Sequence, residues 1–245
     1  MDEQYSNFLP HIITSMRELR IRACSVTIDI STSRRAINLF GNANQDLVYN
    51  FVGIHPECGS TKDYSEFEEL VAQNRNSIDG IGEIGLDRSY TASNDNIYSK
   101  QVDIFQKMLE IAEEIDKPVS IHSRGTLDEV LNLLHSYSHL DVCLHWFDGT
   151  EQQLQRAMDM GLFVSYGPLI VYSQRKKKLL RLADRNRILT ETDGPVRYSS
   201  CFKNVTSLPT TMLVSMLNAI SHELKMTFEE STNLVATNSR VFFNA

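Results

Sequence analysis

The 245-residue chain is 42% hydrophobic and 22% charged, ordinary proportions for a soluble globular protein and enough chain to bury a large core. It has no apolar run of about 18 residues and no signal-peptide-like N-terminus, which excludes a membrane span and points to a cytoplasmic location. The net charge of −7 argues against a broad nucleic-acid-binding surface but leaves room for a local basic patch.

In chain order, an amphipathic stretch from Phe8 to Arg20 comes first, with Leu9, Ile12, Ile13, Met16 and Leu19 at helical spacing. A strand over Ala23–Ile30, a short helix over Arg34–Phe40 and a strand over Leu47–Ile54 follow. Tyr64–Gln73 reads as a helix, then a strand ends at Glu83. The next helix, Ile97 to Ile115, places Tyr98, Val102, Phe105, Leu109 and Ala112 on one face. Lys117-Pro118 introduces a strand ending at His122, and Leu127–Leu134 is the helix after it. A strand ending at His145 leads into the helix Glu151–Met160, the strand Leu162–Tyr166, the helix Lys176–Ala183 and a strand ending near Asp193. Helices over Pro209–Leu224 and Phe228–Asn238 close the chain. Cys24, Cys58, Cys143 and Cys201 show no paired spacing, as expected of reduced thiols in an intracellular protein.

Alternating strands and helices imply a parallel sheet with right-handed crossovers, and no repeat or linker divides residues 1–245 into more than one domain. The length suits a TIM-type (β/α)8 barrel. The count, however, gives seven strands, and the chain opens on what should be the helix after the first strand. Three readings fit: the strand lies upstream of Met1, an N-terminal segment or a partner fills its place, or the barrel is open.

Glu83, His122, His145 and Asp193 each end an apolar run read as a buried strand, and such ends converge on one mouth of a barrel. A lone strand-end histidine is more often structural. Two imidazoles and two carboxylates at four strand ends instead form a ligand set for one or two divalent cations, Zn, Mg or Mn. That pattern points to a metal-dependent hydrolase. The run Arg175-Lys176-Lys177-Lys178 follows the strand ending near Tyr166 and belongs on the same face, where it either steers a nucleic-acid backbone or simply starts a solvated helix. Trp146 and Tyr166 near the mouth read as core packing rather than base stacking, and Asp87 as a structural partner in its turn.

Gly53-Ile54-His55-Pro56, Gly82-Glu83-Ile84-Gly85-Leu86-Asp87, His122-Ser123-Arg124, His145-Trp146-Phe147, Glu191-Thr192-Asp193-Gly194-Pro195 and Asn238-Ser239-Arg240-Val241-Phe242 occur in that order across nearly the whole chain. Together they resemble the TatD family of metal-dependent nucleases within the amidohydrolase-like barrels. The variants His145-Trp146-Phe147, Tyr166-Gly167-Pro168 and Thr190-Glu191-Thr192-Asp193-Gly194-Pro195 are most similar to the TatD-like member of bacterial four-gene anti-phage Qat cassettes. The resemblance implies that Glu83 bridges two cations about 3.5–4 Å apart. His122 and His145 would complete the shell of one, while Asp193 would ligate the other and hold the attacking water. Arg124 would grip phosphate with its planar fork, and His55 would hydrogen-bond the scissile phosphate or the leaving group. DNA, at an end or single-stranded, is the implied substrate, with protein partners of a defence cassette and no membrane. The family's first-strand Asp-x-His-x-His motif is absent here; His11 follows Pro10 inside a helix and does not replace it. Two competing readings remain: a barrel hydrolase of a small amide or ester, and a degenerate barrel serving as a scaffold.

Overall fold

The computed structural model describes residues 3–41, 44–58, 61–91, 94–198, 200 and 205–244. Cys201 lies outside them. Seven strands, β1 (Ala23–Ser25), β2 (Val48–Val52), β3 (Gly80–Asp87), β4 (Val119–Arg124), β5 (Val142–Leu144), β6 (Phe163–Tyr166) and β7 (Ile188–Thr190), pair in sequence order. Every pairing is parallel. The helices are α1 (Leu9–Glu18), α2 (Ile30–Phe40), α3 (Thr61–Asn74), α4 (Asp95–Glu114), α5 (Leu127–Leu134), α6 (Glu151–Asp159), α7 (Gln174–Leu182), α8 (Pro209–Leu224) and α9 (Phe228–Phe242).

Alternate residues of β2 show how the sheet curls. Val52 belongs to the cluster that holds Phe67 of α3 and Phe105 and Leu109 of α4. Tyr49 and Phe51 face the other way and meet Cys143 of β5, Phe163 of β6 and Leu189 of β7. A flat sheet cannot bring its second strand against its sixth, so the sheet is rolled and these residues fill its interior. Phe242, the last residue of α9, plugs the same interior, with its ring 5.3 Å from Phe163 and 6.1 Å from Phe51. This is the TIM-type barrel expected, with seven of its strands among the described residues. Among the described residues β1 and β7 do not pair, although α1 touches α8 and carries the outer layer of helices across the gap.

Several boundaries differ from the sequence expectation, each for a local reason. The first strand stops at Ser25 rather than Ile30, because Asp29 and Thr32 form a reciprocal capping box that starts α2 at Ile30. This side-chain–backbone exchange outweighs the β-preference of Val26-Thr27-Ile28. Ser173 caps α7 and starts it at Gln174, two residues earlier than expected. Helix α9 runs four residues past Asn238, since Phe242 is drawn into the barrel.

Candidate metal centre

β2 leads to His55 through Gly53, where a Cβ would lie 2.6 Å from the Gly82 carbonyl carbon, so only glycine lets the chain leave β2 this close to β3. The His55 amide donates to the Ile28 carbonyl at 2.8 Å. Glu83 lies inside β3, not at its end. The strand continues through four more buried residues to Asp87, and a register shift between Ile81 and Ile84 bends it beside Glu83. At Gly85, φ is +146° and a Cβ would lie 1.9 Å from the His122 carbonyl oxygen. Glycine there lets β3 and β4 close on each other, pairing Gly85 with His122. His145 directly follows β5, and its amide donates to Ile121 at 2.9 Å. Asp193 also lies past its strand, which ends at Thr190, and takes a left-handed backbone with φ +48°. Aspartate tolerates that conformation better than most residues. Trp146 shares it at φ +47°, unusual for so bulky a side chain.

These turns gather the imidazoles around one carboxylate oxygen. Glu83 Oε1 is 3.0 Å from His122 Nδ1, 3.7 Å from His145 Nε2 and 3.8 Å from His55 Nε2. Asp193 Oδ1 stands 3.5 Å from His145 Nε2 on a more exposed side. The far nitrogens are held by carboxylates: His122 Nε2 by Asp87 Oδ2 at 2.8 Å, and His145 Nδ1 by Glu191 Oε2 at 2.6 Å. Asp87 is fully buried and also accepts from the Ser89 amide and hydroxyl.

The electrostatics follow from this ring. Burial opposes ionisation of Glu83, but the His145 charge, the His122 hydrogen bond and His55 outweigh it and hold the carboxyl down at about 2. For His122 and His145, burial works against protonation, yet facing carboxylates prevail and raise both imidazoles. His55 goes the other way, because burial there exceeds the pull of Glu83. Among the described residues, His55, Glu83 and His122 each offer a ligand atom within 4.8 Å of the others, a donor set and spacing that fit a divalent cation. A carboxylate behind each of two imidazoles is the usual support of metal-binding histidines.

His55, expected at the phosphate, thus stands among the metal-type donors. Asp87 and Glu191 were the residues missed. Residue types alone leave Asp87 in its turn and Glu191 without a role, because the first contact joins neighbouring strands β3 and β4 and the second joins the ends of β5 and β7 across β6. Arg124 ends β4 exposed and, among the described residues, without an ion pair. Arg197, in the loop beyond Asp193, is likewise exposed without one. Lys176 of the basic run lies beside Glu191, and the run's four cations share three carboxylates. Arg175 and Lys176 pair with Asp148, Lys177 with Glu223 and Lys178 with Glu151. Lys176 is only 5% exposed. Tyr166 is core, as expected, whereas Trp146 is half-buried and stacks on Tyr198 at 5.6 Å and 16°.

Three similarities bear on this site. The chain is 26% identical to the uncharacterized metal-dependent hydrolase YabD of Bacillus subtilis over 98% of its own length and 94% of that protein's. It is 25% identical to the 3'-5' ssDNA/RNA exonuclease TatD of Pantoea ananatis, over 78% of this chain and 75% of that one. The crystal structure of YjjV, a TatD homologue from Escherichia coli, shares the fold at TM-score 0.88 with 20% identity, covering 100% of this chain and 95% of that one. The family described as TatD related DNase matches residues 1–244, and the chain belongs to that family of metal-dependent hydrolases.

Proposed function

We propose that this protein hydrolyses DNA phosphodiesters, at an end or on single strands, with one or two divalent cations held by Glu83, His122, His145, Asp193 and His55. The observation that carries this reading is the buried Glu83 oxygen ringed by three imidazoles at 3.0–3.8 Å. It opens onto a mouth where the exposed Arg124 has no ion pair among the described residues. A cation bound there supplies Lewis-acid stabilisation at phosphorus and lowers the pKa of an attacking water. The protein's own groups do the rest. Asp193, on the open side, orients the water and accepts its hydrogen bond. Arg124 meets two phosphate oxygens with its planar fork. The name of the Pantoea relative, an ssDNA/RNA exonuclease, supports a nucleic-acid substrate.

The test is cleavage of end-labelled single-stranded and duplex DNA by protein loaded with Zn, Mg or Mn, and its loss on chelation. Metal-loaded protein that leaves all DNA intact but turns over an amide or ester would establish the small-molecule reading instead. Protein that binds no cation and turns over neither would be the scaffold. We also propose that the protein acts in anti-phage defence with the partners of a Qat cassette, supported by the Trp146-Phe147, Gly167-Pro168 and Gly194-Pro195 motif variants. A cassette carrying Glu83→Gln should lose protection in plaque assays; full protection would remove hydrolysis at this site from that role.

A further inference from the structure

Glu191 lies behind the site, with three partners on one of its carboxylate oxygens. Its Oε2 accepts from His145 Nδ1 at 2.6 Å and from the Trp146 amide at 3.0 Å, and it contacts the Ser165 hydroxyl. One oxygen therefore fixes both the ring of a candidate ligand and the strained backbone of the next residue, whose φ is +47°. Its other oxygen is unusual in the opposite sense. Glu191 Oε1 and the Tyr166 hydroxyl are both buried without a hydrogen-bond partner. Both residues line the same partly open cavity of about 10 Å³, beside Trp146 and Lys176. A buried carboxylate oxygen and a buried hydroxyl are costly when left unsatisfied. A cavity of that volume has room for about one water, and these two atoms are polar partners for it.

We propose that Glu191 is the positioning residue of the metal centre, locking His145 through Oε2 while one water in this cavity ties Oε1 to the Tyr166 hydroxyl. Accepting from Nδ1–H leaves His145 Nε2 as the lone-pair nitrogen, and it is Nε2 that faces Glu83 and Asp193. The fixed Trp146 amide prevents the strand exit from relaxing and carrying His145 with it. Tyr166, reached only through the water, stiffens the carboxylate from its far side.

The inference rests on the metal reading of the site, not on DNA as substrate, so the experiment reads metal rather than cleavage. Zn²⁺ and Co²⁺ are titrated calorimetrically into the full chain, and the visible spectrum of the Co²⁺ form is recorded. Glu191→Gln should weaken binding by about 10- to 100-fold, the usual effect of removing the partner of a ligating histidine. It should also shift the Co²⁺ bands and change the emission of Trp146, the chain's one tryptophan, in protein that remains folded. Glu191→Asp, which keeps the charge, should recover part of the affinity. Tyr166→Phe should give a smaller loss in the same direction. A folded Glu191→Gln protein with wild-type metal affinity and Co²⁺ spectrum overturns the proposal, and unchanged affinity in Tyr166→Phe overturns the water tether. If Glu191→Gln does not fold, Ser165→Ala decides, since it removes one contact to the same oxygen: weaker metal binding supports the proposal and unchanged binding refutes it. Wild-type protein that binds metal but cuts no DNA sinks the proposed function and leaves this inference standing.

Discussion

Glu83 concentrates the site's energetics in one buried side chain. Its carboxylate is tolerable in the interior because three imidazoles face it, and it in turn raises two of them. Glu83→Gln keeps the shape and removes the charge, so metal-dependent turnover should vanish while the fold survives; retained turnover at normal thermal stability would remove Glu83 from the site. The raised imidazoles also set a pH signature. In metal-free protein they keep their protons above the ordinary histidine value of 6.5. A cation must displace those protons, so metal affinity should go on rising with pH above 6.5 instead of levelling there. Stability of the metal-free protein has the matching sign. The histidine contribution is full below 6.5 and is lost as pH rises through the higher folded values. The Glu83 contribution is present above 4.5 and is lost as pH falls toward about 2. Calorimetric titrations across pH check the first point, and an affinity already flat at 6.5 would contradict it.

At the scale of elements, the strands are held by what fills the roll as much as by their ladders. Phe242 closes the interior from the end of α9, 2% exposed against Phe51 and Phe163. Phe242→Ala should therefore cost about 3–5 kcal/mol in urea unfolding, a large cavity penalty for a residue near the chain end. A cost under about 1 kcal/mol would mean the α9 terminus is not part of the core. The sequence foreshadowed most strands because apolar runs such as Val119-Ser120-Ile121 are buried on both faces. It misplaced Glu83 because Gly80 to Asp87 is one uninterrupted strand, with nothing in the residue types to say where the mouth falls. It overextended the first strand because the capping power of Asp29 with Thr32 competes with β-preference, and pattern alone does not weigh the two. Asp87 and Glu191 were illegible as supports because a second carboxylate near a histidine acquires meaning only when two strands are in register.

Over the whole molecule, charge decides how DNA can bind. The chain carries −7 overall, so a polyanion is repelled everywhere except at uncompensated cations. The basic run of α7 supplies few of them, since Arg175, Lys176, Lys177 and Lys178 share the carboxylates of Asp148, Glu223 and Glu151. Lys176 also donates to the Phe147 carbonyl from a buried position. Its loss should cost about 1–3 kcal/mol of stability by leaving that oxygen unsatisfied. Lys178→Ala, at an exposed pair, should leave both stability and DNA affinity nearly unchanged. At the mouth, Arg124 and Arg197 are exposed without ion pairs among the described residues. Two phosphate contacts on a single strand predict a salt slope of about −1.4, and Arg124→Ala should reduce it to about −0.7 while weakening binding alike for all sequences. Metal content should not change, because Arg124 is no ligand. The check is fluorescence titration of labelled single-stranded DNA over a range of salt with both variants. A wild-type slope steeper than about −3, or one that Lys178→Ala flattens and Arg124→Ala does not, would move the DNA path from the β4 mouth onto α7.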